Sequence, residues 1–198
     1  MAVVNLPINS ARVVPTNADM DLLEAARNMN RDALIEIFDL YSSALYNYAL
    51  RLCSDNLMAD YIVGDVFAKL LEQLSVGNGP EKNLRSYLFQ TAYHLIIDES
   101  RGSKRKVPIE VADLMRQDPN STYTNVENHT VFETILQAIV NDLTDDQRHV
   151  IILRFLEGFS LRETASILGM EVGNIKVTQN RAIAALRKML ERDHKVVS

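Results

Sequence analysis

The stretch from Ser160 to Leu190 constrains the fold most, because it encodes two helices separated by a tight turn. Ser160, followed three residues later by Glu163, forms a capping-box pattern in which each side chain satisfies a backbone amide of the first turn. Gly169 follows the last apolar residue, where a left-handed backbone ends a helix without steric penalty, and Met170 is placed to pack back over that helix. The pattern predicts a helix-turn-helix.

The second helix of this pair has one apolar side and one basic side. Stepping at about 100° per residue, the side facing the first helix carries Val172, Ile175, Gln179, Ala182, Leu186 and Leu190. A basic helix fits the major groove of duplex DNA, where Lys and Arg reach phosphates or guanine edges, Asn pairs with adenine and Val meets a thymine methyl. An ordinary solvated basic face is the alternative, and the agreement of cap, turn and charge disfavours it. We predict duplex contacts from Gly173, Asn174, Lys176, Val177, Asn180, Arg181, Arg187 and Lys188.

Charge is distributed unevenly along the chain of 198 residues. The formal net charge is −5, so the sum itself does not indicate a nucleic-acid partner. Positive charge is concentrated in residues 101–106 and in the last helix, whereas Arg116 is the only Lys or Arg between Val107 and Gln147. The two halves are therefore predicted to be separate electrostatic units.

Helical spacing of apolar residues continues over the rest of the chain, and no strand-like alternation of useful length occurs. Segments near residues 20–28, 32–53, 59–74 and 84–96 have this spacing, and a second capping box, Thr144 with Gln147, begins a helix that Gly158 ends. Residues 107–128 contain two prolines and a Ser/Thr run, which is typical of a linker. We predict an all-α fold of two small helical domains joined by a flexible linker, with the helix-turn-helix in the second. The predicted bounds are 1–18 for a flexible tail, 19–106 for the first domain, 107–128 for the acidic linker and 129–198 for the second domain.

Several classes of protein are disfavoured. Cys53 is the only cysteine, which excludes an internal disulfide and fits a reducing compartment. No apolar run reaches the length of a membrane span, and the first twenty residues lack the pattern of a secretory signal, so we expect a cytoplasmic protein without a membrane partner. His and carboxylate spacing suggests no metal site, and no nucleophile motif or phosphate-binding loop occurs. We expect no enzyme activity, no catalytic residues, no metal and no cofactor.

The order of these elements resembles the extracytoplasmic-function sigma factors, the small promoter-specificity subunits of bacterial RNA polymerase that retain regions 2 and 4. Region 4 matches over Leu143–Leu190, and region 2 over Ala59–Phe67 and Leu84–Arg101. The chain departs from the usual family pattern at Tyr61, Gly64, His94, Glu171 and Thr178. These departures leave the promoter sequence open without disturbing the fold assignment.

The resemblance implies two contacts with promoter DNA. Region 4 would read the minus-thirty-five element as a duplex, and region 2 would capture melted bases of the minus-ten element. Base capture needs a loop pocket, an aromatic side chain and a basic rim, which the loop Ser75–Asn83 and the residues after it supply in that order. Core packing is an equal alternative for Tyr87, and a solvated basic stretch is the alternative for residues 101–106. The predicted single-strand contacts are Asn83, Arg85, Tyr87, Arg101, Lys104, Arg105 and Lys106.

The resemblance also implies protein partners. In the family, the helix corresponding to Asp60–Leu74 docks on the clamp coiled coil of the largest polymerase subunit. Its polar face is therefore expected to bind core RNA polymerase through Asp60, Asp65, Lys69, Glu72 and Gln73. An anti-sigma factor is a further candidate partner. The competing hypothesis is a two-domain helix-turn-helix regulator, which would bind an operator without polymerase, usually as a symmetric dimer.

Overall fold

The computed structural model of the chain describes residues 17–102, 139 and 142–196. These residues form helices and contain no strand, which confirms the all-α prediction. The helices are α1 Asn17–Arg27, α2 Arg31–Cys53, α3 Asn56–Ser75, α4 Leu84–Gly102, α5 Asp145–Ile151, α6 Leu161–Leu168 and α7 Val172–Val196. A π-helical turn, Ile152–Leu156, directly continues α5.

Some predicted features lie outside the described residues. They are most of the N-terminal tail, the linker 107–128, nearly all of the helix expected after Val131, and the basic residues Lys104, Arg105 and Lys106. For Arg101 the structure describes the backbone, which belongs to the last turn of α4.

Local capping sets the bounds of the N-terminal helices, α1–α4. The Asn30 side chain begins α2 by accepting a hydrogen bond from the amide of Ala33 at 3.0 Å. Ser54 ends α2 in the left-handed region (φ 54°), and Asp55 then caps α3 by accepting from the amide of Met58 at 3.1 Å. The chain therefore reverses within two residues, so α2 and α3 pack together, and α4 packs against both.

The predicted helix-turn-helix is present in the C-terminal helices, α5–α7. The Ser160 side chain accepts from the amide of Glu163, whose carboxylate accepts from the amide of Ser160 at 2.7 Å. Gly169 adopts a φ of 63°, and the amide of Met170 donates to the carbonyl of Ala165 at 2.9 Å. This closure satisfies the last carbonyls of α6. The second capping box, Thr144 with Gln147, is also confirmed.

The helix after Thr144 differs from its prediction. The spacing predicts one helix through Val150, Ile151, Phe155 and Leu156, but the α-helix ends at Ile151 and a π turn continues it. Val150 and Ile151 are buried, and Phe155 and Leu156 are partly buried against the core, as the spacing predicts. Gly158, with a φ of 74°, ends this segment as predicted.

The two helix groups also pack on each other. α4 lies against α6, α2 contacts α5, and the buried residues of both groups form a continuous apolar core. Aromatic rings from both groups meet inside it, with the Phe89 and Phe159 centroids 4.9 Å apart. None of the described helices combines the length and apolar character needed to cross a membrane.

Candidate nucleic-acid interface

The outer face of α7 presents the predicted duplex-binding residues together. All eight are exposed, including Val177, whose side chain is 48% exposed despite being apolar. On the opposite side, Ile175 and Ala182 are fully buried, and Val172, Gln179 and Leu186 are partly buried. The amphipathic prediction for this helix is confirmed over these residues.

Arg154, which the sequence reasoning did not select, fixes the orientation of α7. Its guanidinium donates to the side-chain oxygen of Gln179 at 3.0 Å and to the carbonyl oxygen of Phe159. One side chain from the π turn therefore joins α7 to the segment that precedes α6. No local pattern predicts this contact, since 25 residues separate its two side chains.

The loop between α3 and α4 is held by another residue that the sequence reasoning missed. The Arg27 guanidinium donates to the carbonyl oxygens of Gly79 at 3.0 Å and Pro80 at 3.1 Å. The lack of a side chain at Gly79 lets the loop lie close to α3, since a Cβ there would lie 2.4 Å from Cδ2 of Leu74 and would force that buried side chain to shift. Asn83, at the end of the loop, is exposed with a φ of 54°. α1 thus fixes the shape of the loop predicted to capture bases.

The next two predicted single-strand residues lie on the first turns of α4. Tyr87 is partly buried against the apolar core, so its ring contributes to core packing while part of it stays accessible for stacking on a base. The Arg85 side chain is 22% exposed, and its guanidinium faces the C-terminal helices. It lies 4.0 Å from the centroid of the Phe159 ring and 3.7 Å from the Glu157 carboxylate, and it donates to the Glu157 carbonyl oxygen.

Arg85 belongs to a contact between the two helix groups that we call the joint. Within the joint, the Arg51 guanidinium lies 3.4 Å from the Glu157 carboxylate, and Tyr48 Oη lies 2.8 Å from Nδ1 of His149. The Tyr93 ring meets the His149 ring edge-on, with centroids 4.9 Å apart. The joint consists of Tyr48, Arg51, Arg85, Phe89 and Tyr93 from the N-terminal helices and His149, Glu157 and Phe159 from the C-terminal helices.

Burial shifts the ionisation of several groups in the joint. It lowers the pKa of His149 to about 4, and the adjacent Arg148 acts in the same direction. It raises the pKa of Tyr48 well above its usual value and lowers that of Arg85, while Glu157 opposes the shift at Arg85. Near neutral pH the joint therefore contains a neutral imidazole and a neutral phenol beside a carboxylate between two guanidinium groups.

The exposed side of α3 combines the predicted polar residues with an apolar stripe. Asp60, Lys69 and Glu72 are exposed, Gln73 is partly exposed, and Asp65 pairs with Lys69 at 3.2 Å. Between the acidic residues run three large apolar side chains, Leu57, Tyr61 and Leu71, which are 81%, 53% and 41% exposed, together with the small exposed residues Gly64 and Ala68. The stripe alternates steps of four and three residues, a signal that was available in the sequence.

Each of the two helix groups matches a protein-family model. The model of Sigma-70 region 2 matches residues 37–106, and that of Sigma-70 region 4 matches residues 139–188. Among curated relatives, the ECF RNA polymerase sigma factor BldN of Streptomyces coelicolor is 26% identical over 178 residues, covering 88% of this chain and 66% of that protein. SigX of Bacillus subtilis is 28% identical over 162 residues, covering 78% of this chain and 82% of its own length.

Two solved structures share the fold. CnrH, in complex with the cytosolic domain of CnrY, superposes with a TM-score of 0.67 at 25% identity, covering 89% of this chain and 99% of that one. The sigma factor RpoE from Bartonella quintana, in complex with the anti-sigma factor NepR, has a TM-score of 0.60 at 26% identity, covering 79% and 95%. With regions 2 and 4 both matched in order, the chain belongs to the extracytoplasmic-function sigma factors of the sigma-70 family.

Proposed function

We propose that this protein binds core RNA polymerase through α3 and directs transcription initiation by reading a minus-thirty-five duplex with α7 and a melted minus-ten strand with the α3–α4 loop and α4. It acts by binding, without a catalytic role or a cofactor, in the cytoplasm, where promoter DNA and core polymerase meet. NepR holds RpoE in the solved complex, which makes an anti-sigma factor a further candidate partner here.

The apolar stripe on α3 carries the proposal. Exposed contiguous apolar side chains with a polar rim mark protein-binding surfaces. Steps of four and three residues keep Leu57, Tyr61, Gly64, Ala68 and Leu71 on one line, which is the seam that a coiled coil uses to receive another helix. Gly64 and Ala68 allow close approach at the centre, and Asp60 and Glu72 supply a negative rim. The surface therefore fits a helical partner with basic flanks.

The exposed basic face of α7 supports duplex recognition. Lys176 and Arg181 are exposed and lie on the side opposite the buried Ile175 and Ala182, so both can reach a groove without unfolding the domain. The nearby Val177 is 48% exposed and can meet a thymine methyl. The loop pinned by Arg27, together with exposed Asn83, supports base capture beside Tyr87.

Substitution of Leu57 tests the polymerase contact. Leu57→Ser should leave the melting temperature unchanged, since the side chain is 81% exposed, and should weaken binding to core polymerase. Leu40→Ser is the matched control, because Leu40 is a leucine that is 55% exposed on a different helix, α2. Binding is measured by fluorescence titration, and promoter-dependent run-off transcription with the reconstituted enzyme gives the activity.

The same variants separate the proposal from the regulator hypothesis. A regulator would bind duplex DNA without polymerase, usually as a symmetric dimer, so the wild-type protein would have the mass of a dimer in light scattering and would not bind core polymerase. Polymerase binding that is equally strong in wild type, Leu57→Ser and Leu40→Ser contradicts docking through α3. Absence of any promoter-dependent product, with tight binding of the isolated protein to a palindrome, contradicts the sigma-factor function.

A further inference from the structure

Arg85, a residue proposed to contact the melted strand, already has both kinds of partner that a nucleotide would offer. A carboxylate oxygen of Glu157 lies 3.7 Å from its guanidinium, and the ring of Phe159 lies 4.0 Å from the guanidinium carbon. Arginine binds nucleic acid through charge-assisted hydrogen bonds to phosphate oxygens and through stacking on the flat face of a base. The carboxylate corresponds to the phosphate, and the phenylalanine ring to the base.

A second cation completes this arrangement. Arg51 lies 3.4 Å from the other side of the Glu157 carboxylate, whose side chain is only 7% exposed. The N-terminal helices therefore present two guanidinium groups that converge on one anion. Separating the helix groups removes that anion and exposes both guanidinium groups to water. They then form a positively charged surface that can bind an anion from outside the protein through charge-assisted hydrogen bonds.

We propose that Glu157 and Phe159 are an internal mimic of a nucleotide. In the free protein they occupy the Arg51–Arg85 surface of the N-terminal helices, and a single DNA strand takes their place when polymerase holds the two helix groups apart. This inference rests on the proposed strand-binding role of Arg85. The closed joint and the bound strand exclude each other, so each must weaken the other by the same factor.

Strand binding by charge variants of the full chain tests this exclusion. The probe is a short fluorescein-labelled single-stranded DNA of mixed sequence, and Kd is measured by anisotropy. Glu157→Gln should lower the Kd of the free protein by about tenfold, because apparent affinity scales with the fraction of molecules whose site is accessible. Glu36→Gln is the matched control, since it removes the same charge from an exposed position on α2 and should leave Kd unchanged.

A crosslink tests the same competition while leaving the charged residues of the joint intact. Gln90 donates to the carbonyl oxygen of Ser166 at 3.3 Å across the contact between α4 and α6. A Gln90→Cys, Ser166→Cys variant, linked by a short reagent that a reductant can cleave, should lose strand binding when linked and regain it on reduction. This arm remains decisive if Glu157→Gln fails to fold.

Holoenzyme measurements distinguish failure of this inference from failure of the proposed function. In the reconstituted holoenzyme, Arg85→Ala should weaken probe binding several-fold, whereas Glu157→Gln should have no effect, since the joint is already open. Unchanged binding by Arg85→Ala overturns the strand-binding role. If that role holds, the mimic is overturned by an unchanged Kd of free Glu157→Gln, by an equal gain in holoenzyme, or by a crosslinked protein that still binds the strand.

Discussion

Lowering the pH should destabilise this protein through the buried imidazole of His149. The side chain is 2% exposed, next to Arg148 and between the rings of Tyr48 and Tyr93. Burial lowers its pKa from 6.5 to about 4, whereas the unfolded chain keeps the ordinary value. Protonation therefore favours the unfolded state.

The pKa values set the window and the sign of the effect. Well above pH 6.5 the imidazole is neutral in both states and contributes no pH dependence. As the pH falls from 6.5 to about 4, the unfolded chain binds a proton that the folded chain does not, so the free energy of unfolding falls. The slope approaches about 1.4 kcal/mol per pH unit. Integrated from about pH 7.5 to about pH 5, the loss is about 2 kcal/mol.

Urea unfolding at these two pH values, followed by circular dichroism, measures the loss. His149→Gln should be less stable at neutral pH but should lose about 2 kcal/mol less than wild type on acidification. His94→Gln is the control, because it makes the same substitution at an exposed position. Equal acid losses in wild type and His149→Gln would refute the reasoning. So would an NMR titration that places the folded-state pKa of His149 near 6.5.

Three further results are expected. Gly64→Ala should raise the free energy of unfolding by about 0.5–1 kcal/mol, since a Cβ there meets nothing within 4 Å. Gly169→Ala should lower it by about 1–2 kcal/mol, because the φ of Gly169 is 63°. Urea unfolding in which both variants change the free energy in the same direction would contradict this. Arg27→Ala should weaken minus-ten strand binding by holoenzyme, measured by anisotropy, and leave duplex binding unchanged; loss of both would mean a general folding defect. Arg181→Ala should weaken promoter duplex binding by about 1–3 kcal/mol for a base contact, measured by titration at several salt concentrations. Arg31→Ala, which removes an exposed charge from α2, should not weaken it. Equal duplex affinities of wild type and Arg181→Ala would mean that α7 is oriented differently on DNA.

The sequence alone determined the features that depend on near neighbours in the chain. A capping box joins residues three apart, and a glycine that ends a helix closes bonds four and five residues back, so Ser160, Glu163 and Gly169 could be assigned directly. The two faces of α7 follow from helical periodicity in the same way. The stripe on α3 was also readable, but its meaning required knowing that α2 and α4 leave that side uncovered.

Only the tertiary structure decided which distant side chains meet. Tyr48 and His149 are separated by 101 residues, Arg51 and Glu157 by 106, and Arg27 and Gly79 by 52. No periodicity relates such positions, because each contact depends on how whole helices pack and on the extra residue of the π turn before Glu157. Those contacts bury Glu157 between Arg51 and Arg85. Arg85, which is predicted from the sequence to contact DNA, therefore binds the C-terminal helices of the same chain in this structure.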